Sequence, residues 1–463
     1  MFVCRKFLII PCILLFVYAW RRRRKYLQGL LPPVCGYSWP IVGLAHMWIN
    51  GSLCDPVDST VIGSSFSEKA YLLEEPVEEL FGNSLMMTPS WQKRRVVLEP
   101  VFDQLCSQLD VVNQQSTDMV KELAENIEDD SFNWSSSIRN MVIKTMFATT
   151  FCATNENFAK YIDLFKQAID DITDTLFSIH SNVFMHNKVL YNFSKLKRRH
   201  HNGTLALNNM TDEIVIQKKA SLKSKLDNSD DQKKTVDTDK TLLDYLLELE
   251  ELGVYPEEDI VKELIAMIFS GYATISNTVE CCLHLLGSHL EVQQKLKKEI
   301  YEMYNGSKRN VSINDLKELV YLEAALMETL RLCPPVSMVT RVVDKEVQLR
   351  KYKLEAGSKC LLGIYGINRN EVWGSDKNHF KLERWLNTGS KIPYLASYGF
   401  GERSCIGKQL SLNILKVILV HILREYDVST NGKVLKLKQE LFVGPASQHI
   451  VHQRASYSQA ENV

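Results

Sequence analysis

The sequence predicts a mainly α protein with small β-sheets. From Ser107 to Lys218, amphipathic segments of helical period follow one another with few breakers. A second helical pattern starts at Pro256-Glu-Glu, with acids in its first turn, and runs from Asp259 through Leu264, Ile268 and Phe269 to Leu286. That is about 28 residues, or ~42 Å, enough to cross a whole domain. Alternation of strand type is confined to Val347–Ile364, with a turn at Ala356-Gly357, and to a final hairpin over Glu440–Val451.

With 463 residues, 45% of them apolar, and only 13 prolines, the chain is globular with a large core. Lys plus Arg and Asp plus Glu number 55 each, so net charge gives no ground for a nucleic-acid partner. The 11 cysteines are scattered without Cys-x-x-Cys pairs, which suits a reducing compartment better than a disulfide framework.

Met1–Trp20 is apolar apart from Arg5 and Lys6. Its unbroken part, Phe7–Trp20, makes about 21 Å of helix against a ~30 Å hydrocarbon core, so a span needs the whole stretch, with Arg5 and Lys6 reaching the head groups. Val17-Tyr-Ala-Trp20 followed by Arg21-Arg-Arg-Arg-Lys25 makes a poor cleavage site and a good stop. Residues 1–25 are therefore expected to be an uncleaved membrane anchor with the rest on the cytosolic side. Residues 26–43, with Pro32, Pro33 and Pro40, read as a stiff hinge. Lys195-Leu-Lys-Arg-Arg-His-His201 reads as a solvated helix end, with contact to anionic lipid as the alternative. Phe158, Phe165, Ile169, Ile172, Phe177 and Phe184 would line a core or a substrate roof. Lys223–Lys240, polar and charged, reads as a mobile loop.

Several short segments carry candidate chemistry. Trp91-Gln-Lys-Arg-Arg95 sets an indole and a guanidinium four residues apart on one helical face, though a solvated basic face explains it as well. Phe269-Ser-Gly271-Tyr-Ala-Thr274-Ile275 lies mid-helix, where a Gly costs about 1 kcal/mol relative to Ala; that suggests a close neighbour, but a tolerated Gly in a long core helix is the plainer reading. Glu328-Thr-Leu-Arg331 places opposite charges at i, i+3, ahead of Leu332-Cys-Pro-Pro-Val336. Tyr398-Gly-Phe-Gly-Glu-Arg-Ser-Cys405-Ile-Gly407 precedes Lys408–Tyr426, a run apolar on nearly every side and hence buried. One cysteine thus sits on a Gly-rich turn at the start of a buried helix. Backbone N–H groups and the helix dipole there favour a thiolate, and the glycines admit something flat and bulky. A structural cysteine beside a helix cap is the plain alternative.

That last segment resembles the haem-ligand loop of cytochromes P450, Phe-x-x-Gly-x-Arg-x-Cys-x-Gly, with Tyr398 in the aromatic place and Gly401, Arg403, Cys405 and Gly407 in the others. The resemblance extends in order over nearly the whole chain, to about Arg454, and is nearest to insect microsomal members of the family-4 type. It implies the cytochrome P450 fold in residues 44–463 behind the anchor helix, and haem b (iron protoporphyrin IX) as cofactor. Cys405 would be the axial thiolate, donating electron density that favours O–O cleavage. The resemblance further implies that Trp91, Arg95, Arg341 and Arg403 hold haem propionates and that Tyr398, Gly401 and Gly407 shape the ligand loop. Gly271 and Thr274 would belong to the oxygen-binding helix, with the Thr274 hydroxyl relaying protons. Ala273 stands where the family has an acid, and Ile275 where it has a second hydroxyl. Glu328 and Arg331, with Arg384 from Phe380-Lys-Leu-Glu-Arg384-Trp385, would form a structural charge network behind the haem. Between Gly43 and Trp91 the chain is short for the two strands that open the family's main sheet.

The implied function is a haem-thiolate monooxygenase that inserts one atom of O2 into an apolar substrate: a fatty acid, a hydrocarbon or a foreign compound. Electrons from NADPH would arrive through NADPH-cytochrome P450 reductase, with cytochrome b5 as a further donor, at the endoplasmic reticulum membrane. Ala273 and Ile275 leave two alternatives open: a haem protein with little turnover, and a P450-fold isomerase or peroxide-using enzyme.

Overall fold

Helices account for most of the described residues. The computed structural model describes residues 74–126, 134–151, 158–227, 240–349, 353–386, 395–430, 432–446 and 451–454. The expected anchor (1–25), the hinge (26–43), most of the short stretch after Gly43 and most of the expected loop over Lys223–Lys240 lie outside these residues.

Helix α1 (Glu74–Phe81) is followed by α2 (Trp91–Leu105), α3 (Asp110–Glu125), α4 (Trp134–Thr150) and α5 (Phe158–Ser181). A short α6 (Lys188–Asn192) precedes α7 (Lys195–Asp227), and α8 (Leu242–Glu251) precedes the 32-residue α9 (Glu257–Ser288). Next come α10 (Leu290–Tyr304), α11 (Ile313–Glu318), α12 (Val320–Leu332), α13 (Ile364–Ile367), α14 (Glu383–Leu386) and α15 (Lys408–Glu425). Thr241 and Ser312 start α8 and α11 with capping boxes: each hydroxyl accepts from the N–H of an Asp three residues on, whose carboxylate accepts from the cap N–H.

Two helices organise the core. Helix α9 packs on α4, α7, α12 and α15 and touches the strands near the C-terminus. Helix α15 is buried on nearly all sides, as its apolar run requires, and even its polar residues find partners inside. Lys416 Nζ donates to Leu316 O (2.5 Å) and to Glu323 Oε2 (2.7 Å). Of the phenylalanine and isoleucine positions expected on α5, Phe165, Ile169 and Ile172 are core residues, whereas Phe184 beyond its end is exposed. The basic run at the start of α7 is only in part a solvated end. His200 is fully buried, donating from Nε2 to Pro76 O (2.9 Å), because it faces α1 rather than solvent.

The sheets are small and antiparallel. Strand β1 (Val339–Val342) pairs with β4 (Lys359–Leu362), and β2 (Val347–Gln348) with β3 (Lys353–Leu354). Strand β5 (Tyr426–Ser429) pairs with β8 (Val451–Arg454), and β6 (Leu437–Gln439) with β7 (Val443–Pro445). Two expectations change. Ile364 opens α13 instead of ending a strand, and the final alternating stretch is not one hairpin. The hairpin is β6–β7, while Val451 begins a strand that returns to β5, whose edge continues directly from α15. Among the described residues no helix is long and apolar enough to cross a membrane.

Candidate active site

The loop before α15 opens onto a cavity of about 680 Å³. Gly399 (φ +81°) and Gly401 (φ +57°) occupy the left-handed region, which lets the chain double back within a few residues. The turn closes when the Cys405 N–H donates to Tyr398 O (2.8 Å). Cys405 is exposed, in contrast to Cys106, Cys281, Cys282, Cys333 and Cys360, which are all buried. Gly407 ends the loop as the residue before α15. A Cβ there would lie 3.7 Å from Phe102 and 4.0 Å from Cys405 Sγ, so protein atoms alone leave room above it. Tyr398, which lines the same cavity, places its hydroxyl 3.3 Å from Ser411 Oγ, and burial pushes its phenol pKa up. The extra oxygen has therefore found a partner.

Helix α2 braces this loop. Trp91 is buried, and the Arg403 guanidinium lies 4.0 Å from its ring centroid. Arg403 Nη1 donates to Leu85 O (3.0 Å), and Arg95 Nη1 donates to Ser404 O (2.7 Å), one residue before the cysteine. Arg341 enters from β1, buried, with Nη1 donating to Thr340 O (2.8 Å). Arg95, Arg341 and Arg403 all line the cavity. Three guanidinium groups around a mostly apolar space, with one exposed sulfur, suit a flat apolar molecule that carries carboxylates and binds a soft ligand.

Helix α9 forms the facing wall. Residues 263, 267, 270, 274 and 278 recur at helical spacing along its cavity side. Thr274 Oγ1 donates back to Ser270 O (2.7 Å), so its hydroxyl rests in the helix groove beside the cavity. Ala273 is buried and is not among the lining residues. Gly271 answers the question its helix position raised. A Cβ there would lie 2.4 Å from Met146 Cε and 2.8 Å from Sδ, so the missing side chain is what lets the Met146 thioether lie against α9.

Glu328 and Arg331 are fully buried on α12 and share two hydrogen bonds, Nη2 to Oε1 (2.7 Å) and Nε to Oε2 (2.8 Å). Arg384 Nε reaches Glu328 Oε1 at 3.3 Å. Trp385 Nε1 (3.0 Å) and the Lys381 N–H (3.0 Å) donate to the same carboxylate, and Arg331 caps the carbonyls of Asn368, Lys377 and His379. The buried charges are thus paired and hydrogen-bonded throughout, as burial demands.

Sequence reasoning missed two features of the wall. Glu263 lines the cavity from α9; its helical spacing to Thr274 was the available signal. Phe442 sits against Phe269 (ring centroids 5.8 Å), because Asn277 Nδ2 donates to Val443 O (2.9 Å) and pins β7 to α9.

The family profile described as "Cytochrome P450" matches residues 79–452. Curated relatives agree. The chain is 27% identical over 357 residues to "Cytochrome P450 4V2" of Mus musculus, covering 74% of this chain and 67% of that one. It is 27% identical over 417 residues to "Cytochrome P450 4d8" of Drosophila melanogaster, covering 84% and 89%. It is 25% identical over 471 residues to "Probable cytochrome P450 316a1" of the same species, covering 92% and 94%. An exposed cysteine at a guanidinium-lined cavity, in a chain matched over most of its length, leads to one conclusion: the chain belongs to the cytochrome P450 family, resembles its family-4 members, and is a monooxygenase, hence an oxidoreductase.

Proposed function

We propose that the chain holds haem b against Cys405 and oxidises an apolar substrate with NADPH electrons delivered by a reductase, cytochrome b5 serving as a further donor. The single observation that carries this reading is the exposed Cys405 sulfur on a braced loop, inside a cavity bearing three arginines. When bound, the haem supplies O2 activation, the hard chemistry that side chains lack.

The residues do the rest. Cys405 would offer its sulfur to the haem iron, its loop fixed from within by the Tyr398 carbonyl and from α2 by Arg95. Trp91, Arg95, Arg341 and Arg403 receive the propionates, and Tyr398, Gly401 and Gly407 keep the loop shallow enough for a flat ring to lie on it. Thr274 holds a proton or a water at Oγ1, at the point where the cavity meets α9. Gly271 sets the position of that wall against Met146. Glu328, Arg331 and Arg384 hold the core behind the loop.

On this reading residues 1–25 anchor the chain in the endoplasmic reticulum membrane, 26–43 form a hinge, and 44–463 are a catalytic domain on the cytosolic side. Contact with a bilayer is supported by exposed Phe184, Val189, Leu190 and Phe193, next to exposed Lys188 and Lys195. The mostly apolar cavity suits fatty acids, hydrocarbons or foreign compounds. Alanine at 273 favours one second reading, a haem protein with slow turnover or one that uses peroxide. Product formation that depends on NADPH and reductase, and not on added peroxide, excludes it.

The test of ligation is the absorption spectrum of the reduced, CO-bound protein. The purified chain is expected to show the band of a thiolate-ligated haem, and Cys405→Ser to lose it. A colourless wild-type chain, or an unchanged band after the exchange, overturns the reading.

A further inference from the structure

We infer that Glu263 is the polar anchor for the substrate, and that the cavity selects long apolar molecules ending in a neutral hydroxyl. This rests on the haem-thiolate reading above, which fixes Cys405 and Thr274 as the reacting end of the cavity.

Glu263 lies about three turns of α9 ahead of Thr274, with its side chain on the same cavity face. Eleven residues of helix separate the two by about 16 Å along the axis. The residue is 6% exposed, and what it shows it shows to a cavity otherwise lined there by Val77, Phe81, Leu85 and Met86. Its two oxygens are used unequally. Oε2 accepts from the Leu85 N–H (2.7 Å) and from the Tyr255 hydroxyl (2.7 Å). Oε1 has no hydrogen-bond partner among the described residues. Oε1 opens to the cavity, so a ligand that brings a hydrogen-bond group there gains affinity.

The surroundings set the chemistry of that ligand. Burial raises the pKa of Glu263, and the Tyr255 and Leu85 donors work against that rise. A hydroxyl can donate to Oε1 when the carboxyl is ionised and accept from it when it is protonated, so it fits either state. A carboxylate end fits poorly. Arg94, the guanidinium of this network, is already engaged by Asp259, by the Tyr255 hydroxyl (3.1 Å) and by Asn83 O, which leaves it no fork to offer a second acid. A purely apolar end leaves Oε1 as it is.

The experiment titrates the haem-loaded full chain with dodecane, dodecyl alcohol and dodecanoate, reading the shift of the haem absorption. The alcohol is expected to bind about tenfold more tightly than either of the others, the discrimination one satisfied buried polar group provides. Glu263→Gln keeps acceptors for Leu85 and Tyr255, removes the charge and presents N–H donors to the cavity. It is expected to tighten dodecanoate several-fold, to close the gap to the alcohol, and to leave dodecane unchanged. Glu263→Asp, which withdraws the carboxyl by one methylene, is expected to lose the alcohol preference in the same assay. Equal affinities in the wild-type chain, or a preference that survives both exchanges, overturn the inference. The reduced CO spectrum of the same samples keeps this outcome separate from a failure of haem ligation.

Discussion

At position 273 a single side chain sets what the wall of α9 can offer a proton. Alanine neither carries nor stores a proton there, and it is buried beside a Thr274 hydroxyl already turned to Ser270 O. Proton delivery on the cavity side of α9 is then expected to be slow. Ala273→Asp should raise the product formed per NADPH consumed; an unchanged ratio would count against a relay at this point. A second residue governs acid stability. His421 Nε2 donates to Asn113 Oδ1 (2.9 Å), and Asn113 also bonds the backbone of Val311 and Leu109. Burial, and then the Arg424 charge, push the His421 pKa down to about 4 from its ordinary 6.5. The folded state therefore prefers the uncharged ring, and the unfolded chain takes the proton first. This contribution is complete above pH 6.5 and is lost as pH falls towards about 4. It amounts to about 3 kcal/mol at most, which denaturant midpoints across that range would show and His421→Gln would flatten. The candidate chemistry itself was legible at this scale. Cys405, Arg403 and Thr274 stand in short local spacings, whereas Glu263 lacks a motif of its own and gains meaning only from the cavity it faces.

Elements show where local pattern stops being informative. The i, i+3 spacing of Glu328 and Arg331 is visible on any helix, and most such pairs sit on surfaces and contribute little. What makes this one matter is burial and the donors from Lys381, Arg384 and Trp385, more than fifty residues away along the chain. Glu328→Gln leaves two guanidinium groups facing a neutral amide in the interior. A loss of about 3–5 kcal/mol of stability is expected, read as a lower denaturant midpoint with the haem signal falling in parallel. The long helix was expected over about 28 residues and forms over 32, since apolar period fixes an interior better than it fixes ends. Gly271 was legible as an anomaly, but its neighbour was not: Met146 lies on a helix whose packing against α9 no local spacing encodes.

For the molecule as a whole, class was readable and pairing was not. Helical period and the shortage of alternating stretches point to a mainly α chain with small sheets, and that is the architecture found. Strand partners depend on which edges the helices leave open, which is why the last alternating stretch divides between β7 and β8. The inward turn of His200 has the same origin, since it needs α1 as a neighbour.

Tyr426 follows α15 without a loop, and its partner in the sheet is Arg454. The helix that begins just after the cysteine loop is therefore fastened at its far end by a strand from further along the chain. Pigment capture is expected to need Val451–Arg454, which gives β5 something to grip. A stop codon at 451 would spare every candidate ligand yet open that fastening. The shortened product is expected to emerge pale, and full colour in it would show that the clamp is dispensable.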